Sequence, residues 1–335
     1  MVLRVAQQVD LSAYTGFGVS SRAAHFADIT GEEELLQALA YGKQHHLPVF
    51  VLGGGTNVLF VRDFPGLILY MNWQGIDWLD EAGLVRTACG ENWHSFVINC
   101  MTKGFHGLEN LALIPGTVGA APIQNIGAYG VELEQFLVEV RAVDTRTGRV
   151  ALFDHAACEF AYRDSLFKQG AGRHLIVTHV TLQLSAHWQP NLSYQALRDA
   201  LSSETPTAEQ VFETVCQIRR SKLPDPAITG NAGSFFKNPV ISSEKFAALQ
   251  VDFANIPCFP TDDQDLVKVP AAWLLEQAGW KGRQHGRAAV SAKHALVLVN
   301  PGEATGEDIF LLAQEMSSSI LQRFGIALQP EVQII

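Results

Sequence analysis

Along the chain, short apolar runs alternate with stretches whose apolar residues recur every three or four positions. Leu35, Leu36 and Leu39 form one helical face, and Thr30 with Glu33 three residues later predicts a capping box at its start. Pro48 then introduces Val49-Phe50-Val51-Leu52, the pattern of a buried strand, which opens into Gly53-Gly54-Gly55-Thr56-Asn57-Val58-Leu59. Leu67 to Tyr70 and Leu84 to Ala88 read as further strands, followed by a helical face through Phe96, Val97 and Cys100. Beyond residue 200, Thr205 and Pro206 predict the N-cap and first turn of a helix reaching Lys222. Its inward face is Val211, Phe212, Val215 and Ile218, and Pro224 and Pro226 stop it. Ala271 to Gln277 and Glu307 to Phe324 read as helices on either side of a strand at Ala295 to Val299. Thr305 with Asp308 repeats the capping box, Gly325 suits a helix C′ position, and Pro330-Glu331-Val332 begins a terminal strand. The layout is α/β or α+β, with a main boundary near 200–215 and a weaker one near 70.

Composition narrows the functional classes. A chain of 335 residues, 47% hydrophobic and 17% charged, has material for two or three packed domains. Its net charge of −10 argues against a nucleic-acid binder and gives no attraction to anionic membranes. Lys281, Arg283 and Arg287 still offer local positive charge to an anionic ligand. The five cysteines include no CxxC pair, so neither a disulfide framework nor a metal centre is expected. The first eight residues carry no sustained apolar run and no stretch has the length of a membrane span, so a cytoplasmic protein is expected.

Three segments carry candidate chemistry. In Gly230-Asn231-Ala232-Gly233-Ser234-Phe235-Phe236-Lys237-Asn238-Pro239 a serine sits between flexible residues and an aromatic pair, as a proton donor in a water-poor pocket would. A plain structural turn has the same composition. The run Gly53–Leu59 exposes consecutive backbone N–H groups, a geometry suited to phosphate. It is neither a Rossmann fingerprint, since Val58 occupies the third glycine position, nor a P-loop. The segment from Ile114 to Gly130 mixes small residues with Thr117, Gln124 and Asn125, so a flat ligand could lie on backbone while amides read its edge. A lone glycine triplet is more often a tight turn than a phosphate cradle; two such segments within eighty residues leave tight turns and a large phosphorylated cofactor both open.

In these segments, and in Gly107 to Gly116, Tyr162-Arg163-Asp164-Ser165, Lys222-Leu223-Pro224-Asp225-Pro226 and Pro330-Glu331-Val332, the chain resembles the UDP-N-acetylenolpyruvoylglucosamine reductases, in their type I form. The resemblance spans nearly the whole chain. It implies an α+β fold: a two-subdomain FAD-binding unit of the vanillyl-alcohol-oxidase/PCMH type plus a C-terminal α+β substrate-binding domain. The subdomains would cover 1–70 and 71–210, with the FAD-binding region at about 20–187. The substrate domain would cover 211–335, its terminal strand returning to the active site. The implied activity is that of a UDP-N-acetylmuramate dehydrogenase of peptidoglycan synthesis. NADPH reduces non-covalently bound FAD, hydride passes from flavin N5 to C3 of the enolpyruvyl group, and a proton reaches C2. A monomer is implied.

Residue by residue, Arg163 matches the family arginine on the substrate carboxylate, Glu331 the glutamate of the same site, and Ser234 the proton donor. The expected flavin contacts are Gly53, Gly54, Gly55, Thr56, Asn57, Val58, Leu59, Ile114, Pro115, Gly116, Thr117, Gly119, Ala120, Gln124, Asn125, Gly127, Ala128 and Tyr129. Tyr162, Tyr194, Lys222, Asn238 and Gln284 match substrate-side positions. Without the resemblance, Arg163 would read as a surface partner of Asp164, and Lys222 as a helix C-terminal cation. Phe259 departs from a tyrosine frequent in relatives. His285 and the pair His45-His46 lack metal-ligand spacing. Two rivals remain: a hydroxy-acid or alcohol oxidase of the same architecture, and a nucleotide-binding module without catalysis. Such oxidases often tether flavin through histidine, and neither glycine-rich segment contains one.

Overall fold

A computed structural model describes residues 3–203, 205–261 and 263–335; Met1 and Val2, part of the N-terminal stretch considered above, lie outside them. The chain divides into two units. The first comprises residues up to Val9, Ala23–Gly55 and Pro65–Arg220; the second comprises Asp10–Arg22, Thr56–Phe64 and Ser221–Ile335.

In the first unit, a four-stranded sheet runs in the order Val5–Asp10, Arg22–Ile29, Phe64–Met71, Val49–Leu52. The last two strands are parallel, with Val49 opposite Leu67 and Leu52 opposite Tyr70. Helix α1 (Glu32–Gln44) connects Arg22–Ile29 to Val49–Leu52, between which Phe64–Met71 is inserted in the sheet, and its Leu35 and Ala38 are buried with Ala27, Ile29, Leu67 and Leu69. Its start corrects the sequence reading: Gly31, not Thr30, is the N-cap, and no side chain caps it. Glu33 instead accepts from Gln37 at 3.1 Å, so the expected capping box does not form.

The other sheet of this unit is antiparallel, in the order Val150–Asp154, Leu137–Asp144, Leu175–Gln183, Leu84–Ala88, Ile76–Trp78. Helix α2 (Trp93–Thr102) starts at Asn92, whose side chain accepts from the Ser95 amide. It packs Trp93, Phe96, Val97 and Cys100 into a core shared with Val140, Val180 and Leu182. A short helix, α3 (Gln195–Ala200), precedes α4 (Ala208–Lys222). Val211 and Val215 are fully buried beside Leu197 and Ala112, with Phe212 and Ile218 packed around them, the face expected from the pattern. The capping residue lies two positions beyond Thr205, at Thr207. Thr207 and Gln210 cap each other there, the Gln210 amide donating to the Thr207 hydroxyl and the Thr207 amide to the Gln210 side chain.

The second unit is built on the sheet Gly230–Ser234, Val297–Asn300, Ala288–Val290, Gln284–His285 and a smaller one of Val240–Ser242, Leu266–Lys268 and Phe259–Pro260. Helices α5 (Ser243–Asp252), α6 (Ala271–Gln277) and α7 (Gly306–Phe324) complete it. One core gathers Phe17, Phe235, Phe236, Leu274, Trp280, Leu312, Met316 and Phe324. Helix α7 carries the Thr305–Asp308 capping box and ends at Gly325 in the left-handed conformation, both as the sequence predicts. The terminal strand Gln333–Ile334 pairs in parallel with Val58–Leu59, across some 275 positions of sequence. No helix among the described residues is long and apolar enough to cross a membrane.

One half-buried ring makes the first unit sensitive to acid. His179, on the strand Leu175–Gln183, lies edge-on to Trp73 at 4.7 Å. Burial foremost, then Arg141 and Arg86, push its pKa from the ordinary 6.5 down to about 4. Between those values the native protein holds fewer protons on this group than the unfolded chain does, so its contribution to stability is lost as pH falls. Urea unfolding followed from pH 7 to pH 4 is expected to show this loss, and His179→Gln to flatten it; an unchanged slope in the variant would refute the assignment.

Candidate active site

In the first unit the parallel strand Val49–Leu52 delivers Gly53 and Gly54 against the second glycine-rich segment. A Cβ on Gly53 would stand 2.7 Å from the Thr117 hydroxyl, and one on Gly54 would stand 2.9 Å from Gly116 Cα. Gly116 and its neighbours are in turn tied to the start of α2: Trp93 N–H donates to the Gly116 carbonyl at 3.0 Å, Val118 N–H to Glu91 and Gly119 N–H to Cys89, each at 2.9 Å. Gly119 also packs on Cys89, where a Cβ would come within 2.3 Å. The two segments thus meet backbone to backbone.

Backbone strain concentrates here. Among the described residues seven non-glycines have positive φ, and four of them are Leu113, Asn125, Tyr129 and Arg163. Each is held by polar contacts. Buried Asn125 donates to Glu132 at 3.1 Å and Glu134 at 3.0 Å and accepts from the Glu134 amide at 3.1 Å. Arg163 lies in a tight turn closed by reciprocal Ala161–Asp164 backbone bonds. Its guanidinium donates to the carbonyls of Asn125 at 3.3 Å and Gly127 at 2.5 Å and pairs with Glu132 at 3.5 Å. It also lies over the Tyr162 ring at 5.2 Å. The neighbour Asp164 accepts instead from the Ser165 amide and Gln169, so Arg163 is not the surface partner of Asp164 that its sequence position allowed. A cation with a planar fork, its side chain only 18% exposed and fixed against one carboxylate, can receive an anionic ligand without reorganising.

Tyr194, the N-cap residue of α3, meets Tyr129 edge-to-face at 5.3 Å. Its loop is latched by Asn110, which donates to the carbonyls of Tyr129 and Asn191, and by Asn191, which donates to Gly130. Arg219 on α4 bonds the Tyr129 phenol and donates to the Leu113 carbonyl at 3.2 Å. Burial raises the Tyr129 pKa and lowers that of Arg219.

The second unit holds the serine. Both glycines of its loop are required, for different reasons: a Cβ on Gly230 would come within 2.1 Å of the Phe17 carbonyl, whereas Gly233 faces open space but has φ of +68°. Buried Asn231 wires the loop, donating to the Pro224 and Thr229 carbonyls and accepting from the Gly233 amide at 3.0 Å. Ser234 pairs with Val297, and the next residue donates from Phe235 N–H to the Leu296 carbonyl at 2.8 Å. Leu296 N–H donates to His294 Nδ1 at 3.2 Å, an acceptor available because burial lowers the His294 pKa. On the other side, Glu331 N–H donates to the Phe235 carbonyl at 2.8 Å, Lys237 N–H to Gln329, and Phe236 bridges Pro330. Ser234 and Glu331 therefore come from paired segments nearly a hundred residues apart in sequence. Asn57 joins them, donating to the Glu331 carbonyl at 3.3 Å and accepting from Gln333 N–H.

The remaining positions differ in setting. Asn238 accepts from the Ala271 amide at 3.0 Å, at the start of α6. Gln284 is exposed in the hairpin Gln284–His285/Ala288–Val290 and donates to the Gly286 carbonyl. Lys222 ends α4 and is exposed. Asn110, Asn191, Asn231, His294, His94 and Arg219 organise the segments, and sequence reasoning missed them. Only for Asn231, inside the serine decapeptide, and Asn110, inside the Gly107 to Gly116 segment, was there a local signal.

A family model described as the UDP-N-acetylenolpyruvoylglucosamine reductase C-terminal domain matches residues 225–335, and one described as an FAD binding domain matches residues 23–153. A UDP-N-acetylenolpyruvoylglucosamine reductase of Chromobacterium violaceum is 45% identical over the full length of both chains. The chain belongs to the UDP-N-acetylenolpyruvoylglucosamine reductase family. Another reductase of this family, from Pseudomonas putida, is 42% identical over 99% of each chain. The crystal structure of the Thermus caldophilus UDP-N-acetylenolpyruvylglucosamine reductase superposes with a TM-score of 0.68 at 22% identity over 99% of each chain. That of 6-hydroxy-D-nicotine oxidase from Arthrobacter nicotinovorans superposes with 0.54 at 14% identity, covering 98% of this chain and 87% of that one. The fold is therefore the α+β fold of flavoproteins expected from the sequence.

The glycine-rich residues fit FAD, as a member of this reductase family requires. Among the described residues the amides of Gly53, Gly54 and Gly55 show no bond to a backbone carbonyl outside the regular strands, and Gly54 faces only the backbone of Gly116 and Thr117. Such a bare, amide-lined surface suits a diphosphate.

The serine loop gives a contrast that unfolding can measure. Gly233→Ala is expected to destabilise by about 1–2 kcal/mol through its left-handed φ alone, while Gly230→Ala should cost more because the Phe17 carbonyl must move. Equal urea midpoints for the two variants would contradict this geometry.

Proposed function

We propose that the protein reduces UDP-N-acetylglucosamine enolpyruvate to UDP-N-acetylmuramate, taking electrons from NADPH through non-covalently bound FAD, in the cytoplasm and as a monomer. The observation that carries the reading is the pairing of the Ser234 and Glu331 segments, which gathers a hydroxyl and a carboxyl into one small region of the second unit. When bound, FAD supplies the hydride chemistry; Gly53–Leu59 and Ile114–Tyr129 are its proposed holders. Regions 1–70 and 71–210 are assigned to the cofactor and 211–335 to the sugar nucleotide.

Each proposed role follows from the charge that develops. Hydride arriving at C3 leaves negative charge at C2, shared with the substrate carboxylate. Arg163 is assigned to that carboxylate, where a guanidinium matches both oxygens. Glu331 assists the same polarisation when hydrogen-bonded through its carboxyl. Ser234 gives the proton to C2. A serine hydroxyl is a weak acid, so it must be aimed at a strongly basic carbon, and the rigid loop around Gly230 and Asn231 supports such aiming. Tyr162, Tyr194, Lys222, Asn238 and Gln284 are assigned to substrate binding.

A yellow protein bleached by NADPH and recoloured by UDP-N-acetylglucosamine enolpyruvate is the expected behaviour. Recolouring by oxygen, with turnover of a hydroxy acid, would make it an oxidase; a protein that NADPH does not bleach would refute the reductase reading. Ser234→Ala should keep flavin reduction by NADPH and lose reoxidation by the enolpyruvyl substrate by about a hundredfold or more; equal loss of both half-reactions in stopped flow would sink the assignment. Arg163→Lys should also slow reoxidation strongly, since a point charge cannot replace the planar fork, and a wild-type rate would refute that role.

A further inference from the structure

Helix α2 anchors the second glycine-rich segment at two points with consecutive residues. Trp93 N–H donates to the Gly116 carbonyl, and His94 Nδ1 accepts the Leu113 N–H at 3.1 Å. Leu113 is the residue that turns the chain into this segment, and it does so with φ of +55°, a conformation a leucine rarely adopts. Its carbonyl is held from the other side by Arg219 Nε at 3.2 Å. The His94 ring is clamped flat on Phe212 of α4, with centroids 5.5 Å apart and planes 5° from parallel. Its orientation is therefore set by packing rather than by the hydrogen bond alone.

We propose that His94, together with Arg219, clamps Leu113 in its left-handed conformation, making His94 a positioning residue for the flavin-binding segment that lets go when its ring is protonated. The inference rests on the reading that Ile114–Tyr129 holds the flavin. Nδ1 can accept the Leu113 N–H only while it carries no proton, so the working form is the neutral tautomer protonated at Nε2. Protonation turns the acceptor into a donor facing another donor. It also adds a cation beside Arg219 and Arg220 of α4, the charged groups that act on this ring. Burial, then those two arginines, lower the His94 pKa and keep the clamp closed at neutral pH. What it secures is the approach of Gly116 to Gly54, where there is no room for a Cβ and hence little for drift.

The test measures FAD dissociation constants by flavin fluorescence between pH 8 and pH 5, with the fold followed by circular dichroism. In the wild-type protein FAD affinity should fall on the order of tenfold at the acid end. His94→Asn, whose amide oxygen can take the place of Nδ1 but does not titrate, should bind FAD as tightly at pH 8 and lose the acid-side weakening. His94→Ala should bind on the order of tenfold more weakly at every pH. Leu113→Gly introduced into His94→Ala should recover much of that loss, because glycine takes the left-handed conformation without a clamp. The same acid-side weakening in His94→Asn as in the wild type, or a double variant no tighter than His94→Ala, would overturn the proposal. A wild-type chain that binds no FAD at any pH would overturn the flavin reading beneath it.

Discussion

Two stretches of main chain, at Gly53–Gly54 and at Gly116–Thr117, approach until no side chain fits between them, and most of the first unit is arranged to make that approach repeatable. The parallel strand pair Val49–Leu52 and Phe64–Met71 fixes one stretch by ladder hydrogen bonding; Val49–Leu52 is the edge strand of its sheet, with Val49 and Val51 exposed rather than buried as its apolar run suggested. The antiparallel sheet and the start of α2 fix the other, through Cys89, Glu91 and Trp93. Hydrophobic burial supplies the free energy for both scaffolds, but it is non-directional. The registration between the stretches comes from a handful of directional hydrogen bonds. A ligand bound by amides rather than side chains depends on that registration, because backbone groups cannot choose another rotamer.

The strained residues of the same unit belong to this logic. Left-handed conformations at Leu113, Asn125, Tyr129 and Arg163 each cost energy that a loop alone would release. They persist because side chains elsewhere in the chain hold their carbonyls and amides: His94 and Arg219 at Leu113, Asn110 at Tyr129, Arg163 at Asn125 and Lys168 at Arg163. Strain and polar wiring are thus found together, and neither would be stable without the other.

How much of this was legible from the sequence follows from the range of the interactions involved. Helix α7 was readable at both ends because its capping box and Gly325 act within three residues of the helix. Helix α4 was readable as a buried face, yet its start was misread, since Thr205 and Thr207 both carry the capping chemistry and only Gln210, three beyond Thr207, distinguishes them. Thr30 failed because Gly31 took the N-cap position and Glu33 bonded along the helix. The glycine-rich segments were visible as compositions, but that Gly53 meets Thr117 is a property of two sheets. His94, Arg219 and Asn191 were invisible, since no periodicity marks a side chain that bonds one backbone group far along the chain.

The second unit draws on three separated stretches, Asp10–Arg22, Thr56–Phe64 and everything from Ser221 onward. The parallel partner of Val58–Leu59 is Gln333–Ile334, some 275 positions further along the chain. During synthesis, therefore, the early stretches of this unit emerge long before their partners exist. The first unit can begin folding with those stretches drawn out of it, whereas the segment bearing Glu331 meets the serine strand only after nearly a hundred further residues have been made. The proposed proton-donor site thus depends on a late-arriving segment, and a deletion that takes away Glu331 to Ile335 removes it.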